Sequence, residues 1–266
     1  MIPLNFGLFW AGETLSYLRY LTFKTLRYHH PNAKIKLYLT KKYDNKNHNW
    51  ANETQDFEKE QNIKNYLDKL SDIGVDVINV KYIGKPDFCG ILQADIARWL
   101  MLKDTDLGFY LDTDQIILKS FDTLPLDNEF IYSRYNEVQC GDYLPTGVIG
   151  LETGSKIPDI ATKEVLESYS PNNYNSSGPF MMRRLINKIN LSRAFNAPYN
   201  YFYPINSSSL VDHIYSGKYI PNNESYALHW YGGHPKSQEF NIRYTEEFTR
   251  TGGDSISKYI REKNLI

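Results

Sequence analysis

Residues 108–114 read Gly108-Phe109-Tyr110-Leu111-Asp112-Thr113-Asp114, and the fold turns on how this stretch is taken. An apolar run without polar alternation fits a short strand buried on both faces. The two carboxylates one residue apart then fall in the turn beyond its end. Hard divalent cations such as Mg²⁺ and Mn²⁺ take oxygen ligands and leave positions for phosphate oxygens, so one or two aspartates plus a diphosphate complete such a shell. An isolated Asp-x-Asp is also common in solvated turns, so its surroundings decide its meaning.

Upstream, the spacing predicts a helix over 91–102 carrying Gln93-Ala94-Asp95-Ile96-Ala97-Arg98-Trp99. Asp95 and Arg98 lie three apart and share a face. They form either one hydrogen-bonding cluster for a ligand or a local surface ion pair, which is worth little. Further back, apolar patterning predicts strands over 4–10, 34–39 and 75–80, with helices over 14–28 and 57–70. Pro31 stops the first helix, Gly74 ends the second, and the Asn-rich run 41–52 is read as a loop. The order β-α-β-α-β-α-β up to Asp112 argues a Rossmann-like, mainly parallel sheet with helices on both faces. In such sheets ligands bind beyond the carboxyl ends of the strands, where Asp112 and Asp114 fall.

Downstream, strands are predicted over 130–135 and 146–151 and helices over 158–169 and 179–189, with loops over 171–178, 207–209 and 221–225. No composition shift divides the chain. It is expected to be one domain over 1–266, with a nucleotide-binding half to about residue 120 and an acceptor-side half over 121–266.

The chain has 266 residues, a formal charge of −1 and 41% hydrophobic residues, enough for a sizeable core. Balanced charge gives no footprint for nucleic acid or a membrane surface, and no nucleic-acid partner is expected. Two cysteines, Cys89 and Cys140, exclude a disulfide scaffold or a cysteine zinc site, and both are expected to be reduced and buried. No apolar run is long enough for a transmembrane helix, and the start lacks the basic region of a signal peptide, so the cytoplasm is the expected address. The 22 tyrosines, 13 phenylalanines and 4 tryptophans suit either a tyrosine-rich core or faces for sugars and nucleobases.

The run Ala94-Asp95-Ile96-Ala97-Arg98-Trp99-Leu100-Met101-Leu102 followed by residues 108–114 resembles the DXD-containing sugar-transferase family. That family includes initiating mannosyltransferases, α-1,4-galactosyltransferase-like enzymes, capsular-polysaccharide transferases and, more remotely, glucosylating clostridial toxins. Its pattern is S-D-x-x-R-x-x-x-L, a few residues, then G-G-x-Y-x-D-x-D; here Ala94 replaces the Ser and Leu107-Gly108 the Gly-Gly. Phe9-Trp10-Ala11-Gly12 is similar to its I-W-x-G segment, with Trp10 either stacking on the base or packed in the core. Asn175-Ser176-Ser177-Gly178-Pro179-Phe180 resembles its T-G-P loop; read locally, Ser177 is a helix cap with Pro179 in the first turn. Tyr201-Phe202-Tyr203-Pro204 and Ala227-Leu228-His229-Trp230-Tyr231-Gly232-Gly233 resemble its Y-F-Y-P and H-H-W-x-x-S-W endings. The likeness spans residues 3–233.

The resemblance implies a GT-A type fold and a metal-dependent hexosyltransferase that uses a UDP- or GDP-sugar, with a glycan or other hydroxyl acceptor and retention of configuration. It implies Mn²⁺ or Mg²⁺ held by Asp112, Asp114 and His229, and a catalytic set of Asp95, Arg98, Asp112 and Asp114. Asp95 and Arg98 would hold sugar hydroxyls. Donor contacts are implied at Phe9, Trp10, Gly12, Tyr110, Thr113, Ser177, Gly178, His229 and Lys236, with Ser237 a further phosphate candidate. An inverting reaction would need a general base, for which Glu152 and Asp142 are the candidates. Two alternatives remain: a non-catalytic carbohydrate-binding protein on the same fold, and a haloacid-dehalogenase-type phosphatase, whose Asp-x-Asp normally lies near the N-terminus.

Overall fold

The computed structural model describes residues 1–41, 61–85, 88–103, 106–135 and 143–266. Asp142, Cys140 and most of the 41–52 loop lie outside the described residues. Alternation along the strands builds two cores, one on each face of a single sheet. In β1 (Phe6–Ala11), Phe6 and Leu8 enter one core while Phe9 and Ala11 enter the other. In β4 (Phe109–Leu111), Phe109 and Leu111 face the first core and Tyr110 the second. This is the two-residue period of an extended chain buried on both sides.

The sheet has seven strands in the order β3-β2-β1-β4-β7-β6-β8. It is completed by β2 (Ile35–Thr40), β3 (Val75–Asn79), β6 (Phe130–Ser133), β7 (Val148–Leu151) and β8 (Ala194–Ala197). β7 pairs antiparallel with both β4 and β6, and the other pairings are parallel. The first half runs from β1 outward to β3, then returns to place β4 on the other side of β1. That reversal leaves a crevice at the carboxyl ends of β1 and β4. A second, two-stranded antiparallel sheet joins β5 (Gln115–Ile117) to β9 (Ala227–His229).

α1 (Tyr17–His29) begins where Ser16 Oγ accepts from Arg19 N, and Leu18, Leu21 and Leu26 bury its inner face. It starts later than the predicted residue 14 because the Thr14 carbonyl is taken by Trp10 Nε1 at 2.9 Å. α2 (Gly90–Met101) lies against β1 on the opposite face, capped by the buried Cys89, whose Sγ accepts from Leu92 N. α3 (Ile157–Ser168) and α4 (Pro179–Ile186) join that second core. α5 (Pro235–Arg243), α6 (Glu246–Thr251) and α7 (Ser255–Glu262) lie beyond the residues that sequence patterning organised.

Several expectations are corrected. The described part of the 57–70 segment is not an α-helix; it makes 3₁₀ turns at Leu67–Lys69 and Ser71–Ile73. Asn62 sits in the left-handed region (φ 51°). Asn65 Oδ1 accepts from Leu15 N and Leu67 N, while its Nδ2 donates to the Glu13 carbonyl. Side-chain bonds of this kind compete with a helical ladder. The loop at 207–209 is a 3₁₀ turn running into a π-helical turn, Val211–Tyr215. Gly178, not Ser177, takes the N-cap position of α4. Gly108 proves indispensable despite the missing glycine before it, because a Cβ there would lie 2.0 Å from the Pro3 carbonyl oxygen.

Candidate active site

Asp112 leaves β4 on the same face as Tyr110, and the Tyr110 hydroxyl donates to its Oδ1 at 2.6 Å. The neighbouring strand closes on it: Asp112 N donates to the Gly147 carbonyl at 2.8 Å. A Cβ on Gly147 would fall 2.6 Å from Asp112 Oδ2 and 3.2 Å from the Tyr203 hydroxyl. Behind Asp112 lies the α2 pair. Arg98 Nη2 meets Asp95 Oδ1 at 2.7 Å, with both side chains 6% exposed, and stands 3.9 Å from Asp112 Oδ1. Arg98 Nη1 donates to the Thr146 carbonyl at 2.6 Å, and Ser177 Oγ donates to Asp95 Oδ2 at 2.6 Å. The surface ion-pair reading is therefore wrong, since this is a buried pair with every charged arm engaged. Burial pushes the Asp95 carboxyl up, and Arg98 and Ser177 oppose that rise. Burial works against the Arg98 charge too, yet Tyr110, Asp95 and Asp112 raise its pKa on balance.

Thr113 and Asp114 are gripped from two other directions. Arg19 on α1 donates from Nη1 to Thr113 Oγ1 at 3.0 Å, and Thr22 Oγ1 donates to the Thr113 carbonyl at 2.8 Å. The β5–β9 ladder brings the chain's later part alongside. Trp230 N donates to the Asp114 carbonyl at 3.0 Å and Gly232 N to Asp114 Oδ2 at 2.7 Å. Tyr231, between them, adopts φ 50°, an uncommon conformation for a bulky residue.

Asp114 Oδ1 is buried with no hydrogen-bond partner, though it lies 2.9 Å from His229 Nε2. The two are in contact without the alignment of a hydrogen bond. His229 packs edge-on against Tyr203 and tilted against Tyr231. Burial acts to raise the Asp114 pKa, but His229, Arg19 and the Gly232 N–H outweigh it and hold the carboxyl at about 2. Burial, joined by the Asp114 charge, pushes the Asp112 carboxyl the other way, with Arg98 and Tyr110 in opposition. Ligand atoms of Asp112, Asp114 and His229 lie within 4.8 Å of one another. Two carboxylates and an imidazole, one carboxylate oxygen orphaned, fit a divalent cation with oxygen and nitrogen ligands.

Trp10, half-buried at the end of β1, carries the Arg19 guanidinium 4.1 Å from its ring centroid, and Trp230 lies 5.3 Å away on Arg19's other side. Phe9 belongs to the second core, and Gly12 N donates to the Thr40 carbonyl. Gly178 stands by Asp95, where a Cβ would lie 3.4 Å from Asp95 Oδ1. Lys236 is exposed on α5, its ammonium 3.0 Å from both Glu239 carboxylate oxygens. Ser237 is wholly buried, accepting from the Tyr215 hydroxyl and donating to the Trp230 carbonyl, so it is no phosphate contact. Glu152 fails as a base: β7 runs antiparallel to β4, which puts it at the opposite end of the sheet from Asp112, tied to the N-terminal amine at 2.5 Å and to Arg193 at 2.9 Å. Arg19, Thr22, Thr146 and Gly147 were not singled out from sequence, and Tyr203 was quoted only within the Tyr201–Pro204 stretch. Each is ordinary in its local context, and only the fold brings it to the turn.

No family model and no curated protein matches the chain. Solved structures do. The glycosyltransferase PaToxG matches with a TM-score of 0.50 and 17% identity over 70% of this chain and 69% of that one. An active-site variant of LgtC gives 0.46 and 15%, covering 92% of this chain and 98% of that one. The bifunctional glycosyltransferase WbbM in its apo form gives 0.43 and 10%, covering 91% of this chain and 50% of that one. The likeness to PaToxG is one of fold, and the fold is thus the GT-A type that the resemblance implied. Among the described residues no helix is long and apolar enough to cross a membrane.

Proposed function

We propose that this protein is a metal-dependent glycosyltransferase moving a hexose from a UDP- or GDP-sugar to a glycan or other hydroxyl acceptor with retention of configuration. One observation carries the reading. Asp112, Asp114 and His229 meet at the carboxyl ends of β1 and β4 with a buried Asp114 oxygen left without a hydrogen bond. A buried, ionised oxygen without a donor is costly and fits a cation. The imidazole beside two carboxylates favours Mn²⁺ over Mg²⁺. Such an ion, when bound, offsets negative charge growing on a departing diphosphate.

The chain's own residues supply positioning. Gly232 N–H and Tyr110 hydroxyl fix the two carboxylates from opposite sides. The Arg19 guanidinium, between Trp10 and Trp230, adds positive charge beside the turn. Asp95 and Arg98 stand behind Asp112 and hold its wall rigid. In the transfer, the acceptor oxygen bonds to the anomeric carbon on the face the diphosphate leaves. The bond from that carbon to the phosphate oxygen breaks, its electron pair stays on the phosphate, and the acceptor proton passes to the departing phosphate. No protein nucleophile is needed, so orientation and charge are what the chain provides.

The test is Asp114→Asn, which keeps an oxygen for Gly232 N–H. Transfer should vanish with the thermal midpoint preserved. Full activity with Mn²⁺ across a panel of donors would sink the reading. A thermal-shift screen of UDP, GDP and their sugars, with and without Mn²⁺, should show a metal-dependent rise for the matching nucleotide.

A further inference from the structure

Gln115 follows Asp114 directly and is wholly buried, yet neither Oε1 nor Nε2 of its amide has a hydrogen-bond partner. An amide buried with both ends unpaired is disfavoured unless another state of the protein gives it a partner. The register of the small sheet identifies that partner. Gln115 is directly opposite His229 in the β5–β9 ladder, and opposed residues of an antiparallel pair project to one face with their Cβ atoms close together. His229 is in matching condition: its Nδ1 is buried and also has no partner. Two orphaned groups thus share one face of a three-residue ladder, at the edge of the candidate metal site.

The chemistry of imidazole connects them. A histidine that offers the Nε2 lone pair to a cation carries its proton on Nδ1, and that N–H needs an acceptor. Ligating histidines almost always find one in a carboxylate, carbonyl or water, which sets the tautomer and the ring's orientation. Asp114 cannot serve, since it lies on the Nε2 side at 2.9 Å. Tyr203 and Tyr231 contact the ring through their own rings. We propose that Gln115 is a positioning residue for His229, its side-chain carbonyl accepting from Nδ1–H when Nε2 faces a divalent cation. The inference rests on the metal-site reading of Asp112, Asp114 and His229. It adds that the site is built as a carboxylate-imidazole centre with an amide behind the imidazole.

The test is Gln115→Met, which keeps length and volume and removes the amide. Free Mn²⁺ is followed by electron paramagnetic resonance as it is titrated into the metal-free full chain, with and without UDP or GDP. The variant should bind Mn²⁺ about 10- to 100-fold more weakly, the usual cost of losing such a support. Its thermal midpoint in EDTA should be no lower than that of the wild type, because an unpaired amide has been removed. A purely structural glutamine would do the reverse. In a His229→Gln background, Gln115→Met should cause no further loss of Mn²⁺ binding, because the effect passes through the imidazole. Equal Mn²⁺ affinity of wild type and Gln115→Met overturns the proposal and leaves the metal site standing. So does a lowered midpoint in EDTA, or the same loss in both backgrounds. A wild type that binds no Mn²⁺ even with nucleotide present overturns the metal-site reading and this proposal with it.

Discussion

Arg98→Ala is the perturbation whose consequence follows most directly from the geometry. The variant removes the guanidinium from Asp95 Oδ1, at 2.7 Å, and from the Thr146 carbonyl, at 2.6 Å. Asp95, 6% exposed, would keep only the Ser177 hydroxyl at 2.6 Å. Breaking one partner from a buried ion pair costs about 3–5 kcal/mol. An independent bound agrees: at about pH 7.5 a stranded carboxylate of ordinary pKa escapes its burial by taking a proton, at a cost of about 5 kcal/mol. For a chain of this size that is a fall in thermal midpoint of roughly 6–20 °C.

The escape route also fixes a pH signature. In the variant the folded state binds a proton on Asp95 that the unfolded chain releases above about pH 4. Stability relative to wild type therefore rises as pH falls, by about 1.4 kcal/mol per pH unit while Asp95 remains protonated in the fold. Calorimetric melts at about pH 7.5 and 5.5 would show the deficit narrowing, and Asp95→Asn combined with Arg98→Met should recover much of it. A variant melting within about 2 °C of wild type, or a deficit indifferent to pH, would refute the buried-pair reasoning. Lost turnover in Arg98→Ala is accordingly no evidence that Arg98 touches the sugar.

Three further outcomes are expected. Gly147→Ala puts a Cβ 2.6 Å from Asp112 Oδ2 and 3.2 Å from the Tyr203 hydroxyl. It should cost about 1–3 kcal/mol of stability by overpacking and turn the carboxylate away from its Tyr110 bond; a variant with wild-type melting and donor turnover would contradict this. His30, buried between Phe6 and Phe121 and accepting from Phe121 N, has its pKa lowered to about 4, chiefly by burial and secondarily by His29. It is neutral in the fold, so stability is lost as pH falls from about 6.5 towards 4. Denaturant titrations should show His30→Gln removing about 2–3 kcal/mol of that acid loss. Arg19→Met deletes the bond to Thr113 and the stacking on Trp10. It should destabilise by about 1–3 kcal/mol and weaken nucleotide diphosphate binding, and unaltered calorimetric affinity for both UDP and GDP would argue against Arg19 facing the donor.

The strands that carry the turn were legible because they are long enough to show a pattern. β1, β2 and β3 lie within a residue or two of where alternation puts them, and the apolar run ending at Leu111 marks β4. Over the described part of 57–70, apolar spacing points to a helix, but Asn62 and Asn65 commit the backbone to other bonds. β5 and β9 escaped notice for a different reason. Each has three residues, too few for a period, and each exists only because the other lies beside it. α2 was read correctly as a helix, but burial of Asp95 and Arg98 depends on Thr146 and Ser177, neither of which is near in sequence.

The Asp112-Thr113-Asp114 turn is held by three parts of the chain that are distant in sequence. α2 stands behind Asp112, α1 holds Thr113, and the Trp230–Gly232 stretch holds Asp114. The two carboxylates consequently sit in opposed surroundings. Asp114 is kept ionised by His229, Arg19 and a backbone N–H, while burial and the charge of Asp114 itself press on Asp112. Two such groups interact as a pair, each raising the cost of the other's charge. Relief by protonation is open to Asp112 and closed to Asp114, and the orphaned Asp114 oxygen faces the same space as Asp112 and His229. A cation bound there would relieve both at once. Asp-x-Asp in a solvated turn carries no such strain, because water screens each carboxylate separately. What distinguishes this turn is that three distant segments close around Asp114 Oδ1, which is buried without a donor, and leave its charge open to a ligand.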